Sequence, residues 1–269
     1  MMEMGCHLFP WNAMLQNEGV FSKKVSLLLS WIKENGFNSI EIGSHFIPYG
    51  KEKEFDGWIK QHGLKIAGVH TGKPFFLSGF QENEMEDVAK DISRLKEAGA
   101  ERILFSTWGS KSVEKERVSA LIQHLHLLGG IAHEHSISLL YHNHDHEFLD
   151  GASGAERIMK ETDPKLVSFA LDIGWIQLAG VDIFSFWEAH QNRIEYVHLR
   201  DVRDCRFVEI GEGEIDYVRV VYKMKETKKL KAAIIEMELG DNYGGGFTEP
   251  EKSVLASYHH LQTNLNMKK

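Results

Sequence analysis

Three histidines and two carboxylates fall within the eight residues Tyr141–Phe148, which read Tyr-His-Asn-His-Asp-His-Glu-Phe directly after the apolar run Ile137–Leu140. Alternation along a strand points His142 and His144 to one face, and Asn143 and Asp145 to the other. Imidazole and carboxylate side by side suit a divalent metal such as Zn²⁺, Mn²⁺ or Fe²⁺. A polar loop with surface histidines would use the same residue types. Three later stretches speak against it, because each repeats one layout: a buried strand-like run ending in a ligand-type side chain. Leu166–Leu171 delivers Asp172, Ile194–Val197 delivers His198, and Ala232–Ile235 delivers Glu236. An earlier run, Leu64–Val69, ends in the same way at His70.

The elements that must carry these residues alternate between strand and helix along the whole chain. Short apolar runs at Gly5–Phe9, Ser39–Ile42 and Arg102–Phe105 join the five already named, which makes eight. Between them lie segments with helical periodicity, such as Val25, Leu28, Leu29 and Ile32, or Val88, Ile92 and Leu95. Gly36, Gly63 and Gly99 stop three of these helices, and Asp163-Pro164 ends another. The pair Gly129-Gly130 is a flaw expected to kink or loosen its helix. Alternating units of this kind imply parallel strands covered by helices. Eight of them in 269 residues, with no linker or composition break, predict one (β/α)₈ TIM barrel over residues 1–269. A doubly wound open sheet is the alternative, but its glycine-rich phosphate fingerprint is absent after the first strand.

In such barrels the active site lies at the C-terminal ends of the strands. The candidates are therefore His70, His142, Asp172, His198 and Glu236. The successive steps from 142 to 172, from 172 to 198 and from 198 to 236 are 30, 26 and 38 residues. The fold's own repeat is roughly 31 residues, about 250 divided by eight. Each candidate also has a plainer explanation. Asp172 could cap the turn Gly174-Trp175, His198 could be a hydrogen-bonded core histidine, and Glu236 or Glu238 could pair with Arg200. His124, His126, His133 and His135 lie on or just after a helix and read as solvated surface.

The charge balance, 31 basic against 39 acidic side chains, leaves −8 and disfavours a nucleic-acid binder. The two cysteines, Cys6 and Cys205, form no metal or redox motif, which points to a reducing cytoplasm. Neither a signal peptide nor a run of ~20 apolar residues is expected. Phe75, Phe76 and Phe80 suit either a lid over the site or a contact between copies in a homo-oligomer.

Taken together, these motifs resemble the xylose isomerase-like TIM-barrel superfamily, and within it the sugar phosphate isomerase/epimerase family, which includes inosose dehydratases and keto-sugar epimerases. The resemblance rests on His142-Asn143-His144-Asp145-His146-Glu147-Phe148, Leu171-Asp172-Ile173-Gly174-Trp175, His198-Leu199-Arg200-Asp201, Gly211-Glu212-Gly213-Glu214-Ile215-Asp216 and Ile235-Glu236. It covers nearly the whole chain and implies one divalent metal ion, Mn²⁺, Co²⁺, Mg²⁺ or Zn²⁺. The superfamily's usual ligands are Glu, Asp, His and Glu; Asp172, His198 and Glu236 match the last three. At the first place stands His142, and Glu147 is the alternative ligand. Arg200 replaces the usual lysine of its motif, which changes how an anion or hydroxyl would be held.

The chemistry so implied is proton transfer next to the carbonyl of a small carbohydrate through a metal-stabilised enediolate. Glu236 is the expected base, with Glu147 or His144 as a second acid/base. His70, Trp175 and Arg200 are expected to bind the sugar. Isomerisation or epimerisation is the leading expectation, dehydration of an inosose or keto-polyol is the alternative, and a non-catalytic sugar-binding barrel is the third.

Overall fold

Eight parallel strands close on themselves in the computed structural model, which describes residues 2–71, 82–107, 115–237 and 249–264. Strands β1 (Glu3–His7), β2 (Ser39–Gly43), β3 (Lys65–Thr71), β4 (Arg102–Phe105), β5 (Ser138–His142), β6 (Val167–Asp172) and β7 (Ile194–Leu199) follow one another around the barrel. The hairpin strands β8 (Asp201–Arg203) and β9 (Arg206–Val208) stand outside it, and β10 (Ala232–Ile235) closes the ring between β7 and β1. The first strand starts and ends two residues earlier than its apolar run suggests. Glu3 pairs with Ala232 at its start, and Phe9-Pro10-Trp11 turns away as a 3₁₀ helix.

Helices α1 (Asn12–Glu18), α2 (Lys23–Glu34), α3 (Glu52–Gln61), α4 (Glu82–Glu97), α5 (Lys115–Glu134), α6 (Leu149–Glu161), α7 (Ile173–Leu178), α8 (Ile183–His190), α9 (Tyr217–Glu226) and α10 (Pro250–His259) lie between and after the strands. Their apolar faces and the outward strand residues form the large core, with Leu29, Ile32, Phe55, Leu125 and Ile158 among its buried members. Ser22, Asp182 and Asp216 cap α2, α8 and α9 by accepting a backbone N–H from the first turn, the role that favours these residue types at a helix start.

Gly129 does not break α5. A Cβ there would sit 2.8 Å from the Leu166 carbonyl oxygen, so the glycine lets the helix lie against the start of β6. Phe75, Phe76, Phe80 and Glu238 fall outside the described residues.

A second, smaller core fills the barrel's interior: Ala67, Leu104, Leu140, Ala170, Tyr196, Ala232 and Ile234. It mixes small and large residues, as a tapering barrel requires. Gly68 makes room for the largest member. A Cβ there would meet Leu104 Cδ1 at 2.4 Å and the Tyr196 hydroxyl at 3.2 Å. Tyr196 therefore stands in the barrel's interior and donates its hydroxyl to Glu41 at 2.6 Å. The apolar plug ends there and a polar layer begins.

Cys6 is buried and Cys205 exposed, and both are free thiols. Among the described residues, no helix is long and apolar enough to cross a membrane.

Candidate active site

Each of the eight barrel strands carries a polar side chain at or near its C-terminal end, and these side chains form a connected layer. In order they are His7, Glu41, His70, Ser106, His142, Asp172, His198 and Glu236, with Ser106 and Glu236 one residue beyond their strands. His198 is the hub. Its Nε2 lies 2.7 Å from Glu41 Oε2, and its Nδ1 faces His142 Nδ1 at 3.1 Å, Glu236 Oε2 at 2.9 Å and Asp172 Oδ2 at 3.8 Å. One donor atom from each of His142, Asp172, His198 and Glu236 lies within 4.8 Å of the other three. The four candidates named from strand spacing do come together in space.

Donor atoms about 2.0–2.2 Å from one ion in a tetrahedral set would be spaced about 3.4 Å apart. The distances from His198 Nδ1, 2.9, 3.1 and 3.8 Å, bracket that value, and the four donor atoms all lie within 4.8 Å of one another. Two imidazoles and two carboxylates, all buried, are also the donor types that divalent metals take. The set fits a divalent ion in both spacing and chemistry.

Asp172 does two jobs. Its Oδ1 accepts from the Gly174 and Trp175 N–H groups and caps α7, as the plainer explanation supposes, while Oδ2 faces the cluster. Asn143 fixes the neighbouring strand end by exchanging hydrogen bonds with both the N–H and the carbonyl of Asp172. Burial raises the Asp172 carboxyl to about 6 against the pull of Arg200. Burial would raise Glu236 as well, but there Arg200 and His198 prevail and hold it well below the usual carboxylate range. Burial opposes a charge on His198, yet Glu41 and Glu236 lift it to about 10. His142 and His144 are pushed well below the ordinary imidazole range, chiefly by burial, and His70 falls to about 4 for the same reason.

Arg200 sits 2% exposed with Nε 2.8 Å from Asp172 Oδ2 and Nη2 2.6 Å from Glu236 Oε1. It packs against Trp175 and Phe207, with its guanidinium carbon 5.5 and 4.8 Å from their ring centres. Trp175 has no exposed surface and also touches His144, so it backs the site and presses Arg200 and His144 toward it. His70 is half-buried, donates to or accepts from Ser106 at 3.0 Å, and stands edge-on to His142.

Glu147 is directed elsewhere. Its Oε2 accepts from the His144 N–H at 2.8 Å, and its Oε1 takes the Tyr141 hydroxyl, Thr107 Oγ1 and His146 Nε2. Both oxygens are thus occupied in pinning the loop that presents His144, and Glu147 is not one of the four convergent donors. Among the helix histidines, His133 is exposed while His126 accepts from the Asp163 N–H at 2.9 Å.

Three members of the ring, His7, Glu41 and Ser106, are not among the candidates that strand ends select. His7 bridges the halves of the ring, with Nε2 3.6 Å from Glu41 and Nδ1 3.4 Å from Glu236. Glu41 interrupts the apolar strand Ile40-Glu41-Ile42, and a carboxylate in such a run is costly unless paired. It therefore carries the same sign that marks Asp172. Glu41 orients His198 from behind, as carboxylates commonly do for imidazoles that serve a metal.

Asp201, next to Arg200, organises rather than reacts. It is fully buried and accepts from the backbone N–H groups of Val202, Gly211, Gly213 and Ile215 at 2.9–3.1 Å. Gly213 is required for this, since a Cβ would lie 2.1 Å from Asp201 Oδ1. Asp201→Ala is expected to cost roughly 3 kcal/mol by orphaning these donors, a melting-point fall of about 6–9 °C in a calorimetric scan.

The sequence profile of the xylose isomerase-like TIM barrel family matches residues 29–263. The chain belongs to that family. Its relatives include an inosose dehydratase of Mesomycoplasma hyopneumoniae, 28% identical over 206 residues, covering 72% of this chain and 67% of the relative. An inosose dehydratase of Halalkalibacterium halodurans is 29% identical over 232 residues, covering 73% and 74%. Among solved structures, a sugar phosphate isomerase/epimerase of Parabacteroides distasonis superposes with a TM-score of 0.79 at 18% identity, covering 100% of this chain and 96% of the other. The E. coli 3-keto-D-glucoside 4-epimerase superposes at 0.74 with 16% identity, covering 98% and 100%. These relatives and neighbours of the xylose isomerase-like chain are enzymes, and the low identities of the structures establish the shared barrel.

Proposed function

We propose that this xylose isomerase-like chain is a metal-dependent enzyme in which Glu236 removes a proton from the carbon next to the carbonyl of a small keto-polyol, and that the neighbouring hydroxyl then takes that proton from Glu236 and leaves as water. The overall reaction is then dehydration of an inosose or a related keto-polyol. The observation that carries the reading is the convergence of His142, Asp172, His198 and Glu236 at the barrel mouth, with a second tier of groups holding them. These four would hold one divalent ion, which supplies a Lewis acid for the substrate's oxygens.

The chain's own groups divide the remaining work. Glu236 is the base, because Arg200 and His198 keep it ionised and fixed beside the cluster. His70, the most exposed member of the ring among the groups named, meets substrate hydroxyls together with Ser106. Trp175 and Arg200 support the site from behind. Arg200 already answers two carboxylates, which leaves it little pull on a phosphate and favours a neutral polyol.

Dehydration is preferred over epimerisation on a specific ground. Returning a proton to the opposite face needs a second group that carries one. Glu147 is tied to Tyr141, Thr107 and His146, whereas the elimination needs no second group because Glu236 returns its own proton to the departing hydroxyl. The names of the sequence relatives agree with this. Isomerisation or epimerisation, with Glu147 or His144 as the second acid/base, is the other reading, and it draws on the names of the structural neighbours. The net charge of −8 disfavours a nucleic-acid substrate.

The test is proton NMR in D₂O on the metal-reconstituted protein with inososes, keto-hexoses and sugar phosphates. A new enone or dione signal from an inosose supports dehydration. Deuterium at carbon with retained hydroxyls, giving an epimer or isomer, moves the reading to its alternative. Neither signal on any substrate, in protein that holds its metal, overturns the enzymatic reading for these substrates.

A further inference from the structure

The donor set is evenly balanced between nitrogen and oxygen. Two of its four members are neutral-type nitrogen donors, His142 and His198, and their Nδ1 atoms face each other at 3.1 Å in a site where both rings are buried. Glu236 Oε2 lies 2.9 Å from the same His198 nitrogen, so a cation at this point would meet two ring nitrogens and a carboxylate oxygen. The other two members, Asp172 and Glu236, carry the negative charge, and Arg200 lies 2.8 and 2.6 Å from them. A hard cation such as Mg²⁺ or Mn²⁺ is held mainly by oxygen donors and their charge, whereas imidazole suits Zn²⁺, Co²⁺ and Fe²⁺. Arg200 weakens the first kind of attraction and leaves the second untouched.

We propose that the site selects a nitrogen-favouring divalent ion, Zn²⁺, Co²⁺ or Fe²⁺, over Mn²⁺ and Mg²⁺, and that His142 is the residue that sets the choice. The proposal rests on the reading that these four residues hold a metal at all. His142 is the determinant because His198 is bound on its far side to Glu41 and serves that carboxylate as well as the site. His142 ends β5 and turns its Nδ1 toward His198. An exchange there changes the donor type while Asp172, His198 and Glu236 stay in place.

Most sites with nitrogen and oxygen donors bind Zn²⁺ or Co²⁺ more tightly than Mn²⁺, so a simple preference in the wild type decides nothing. The deciding quantity is the change in that preference. Metal-free wild type and His142→Glu are titrated with Co²⁺ and Mn²⁺ under chelator-buffered conditions, and bound metal is measured by plasma mass spectrometry. The expected result is a Co²⁺-over-Mn²⁺ affinity ratio at least about tenfold larger in the wild type. An unchanged ratio overturns the proposal. X-ray absorption of the cobalt-loaded wild type provides a check that does not depend on the variant folding. Two imidazoles in the metal's coordination shell support the proposal, and one or none overturns it. No ion bound by the wild type under any condition is a different failure: it removes the metal from the proposed function and the selectivity with it.

Discussion

Glu236→Gln is expected to lower kcat by about 10²–10⁴, the range that general acid–base groups command. Three neighbours make the substitution so costly. Arg200 Nη2 lies 2.6 Å from Oε1, His198 Nδ1 2.9 Å from Oε2, and His7 Nδ1 3.4 Å from Oε1. All of them face an anion. A glutamine keeps the shape, but half of its amide donates, so it confronts at least one of these donors with another. It also cannot take up a proton from carbon. Solvent deuterium incorporation should therefore fall together with product formation, which separates loss of the base from loss of a later step. If turnover survives within tenfold in a variant whose metal content matches that of the wild type, the base is another residue, and His7 becomes the first to examine.

Much of this arrangement is legible in the amino-acid sequence itself. An ionisable residue that terminates an apolar run in a (β/α)₈ chain has only one place to go, the layer where the strands give way to loops. That logic places His142, Asp172, His198 and Glu236 correctly in one cluster, because their runs are apolar and spaced near the fold's repeat. It fails for His7, whose run Gly5–Phe9 continues past it in apolar residues and hides the strand's true end. Glu41 escapes it for a related reason, since it sits within Ile40-Glu41-Ile42 rather than after it. The spacing of Glu147 misleads in another way. Five residues beyond His142 is within reach of the cluster along the chain, but Tyr141, pointing to the outer side of β5, captures the carboxylate. Sequence spacing registers how far a side chain can travel and carries no record of which partner holds it.

The hairpin of β8 and β9 shows the same limit from the opposite side. The motif residue Asp201 looks as chemical as its neighbours His198 and Arg200, yet the backbone hydrogen bonds it accepts tie down its own strand and the loop through Gly211-Glu212-Gly213. Glycine is what lets that backbone approach a buried carboxylate so closely, and its recurrence in the loop is the signal that points to Asp201.

Removing Arg200 should destabilise the metal-free protein more than any other change in the polar layer. In Arg200→Met, the loss is expected to be about 3–5 kcal/mol, the usual consequence of leaving buried charges without their partner. That corresponds to a melting-point fall of roughly 6–15 °C. Asp172 is fully buried and Glu236 nearly so, and Arg200 is the strongest favourable charge acting on both. Methionine fills much of the space beside Trp175 and Phe207, so the packing change is small and the electrostatic change dominates. The direction of the metal effect then follows from the charge balance. A divalent ion replaces the lost positive charge next to the same two carboxylates, so saturating metal should recover a larger share of stability in Arg200→Met than it adds to the wild type. Calorimetric scans of both proteins, with and without metal, measure the two differences. An equal gain in both would show that Arg200 and the ion do not compete for Asp172 and Glu236, and selectivity at His142 would then rest on donor type alone.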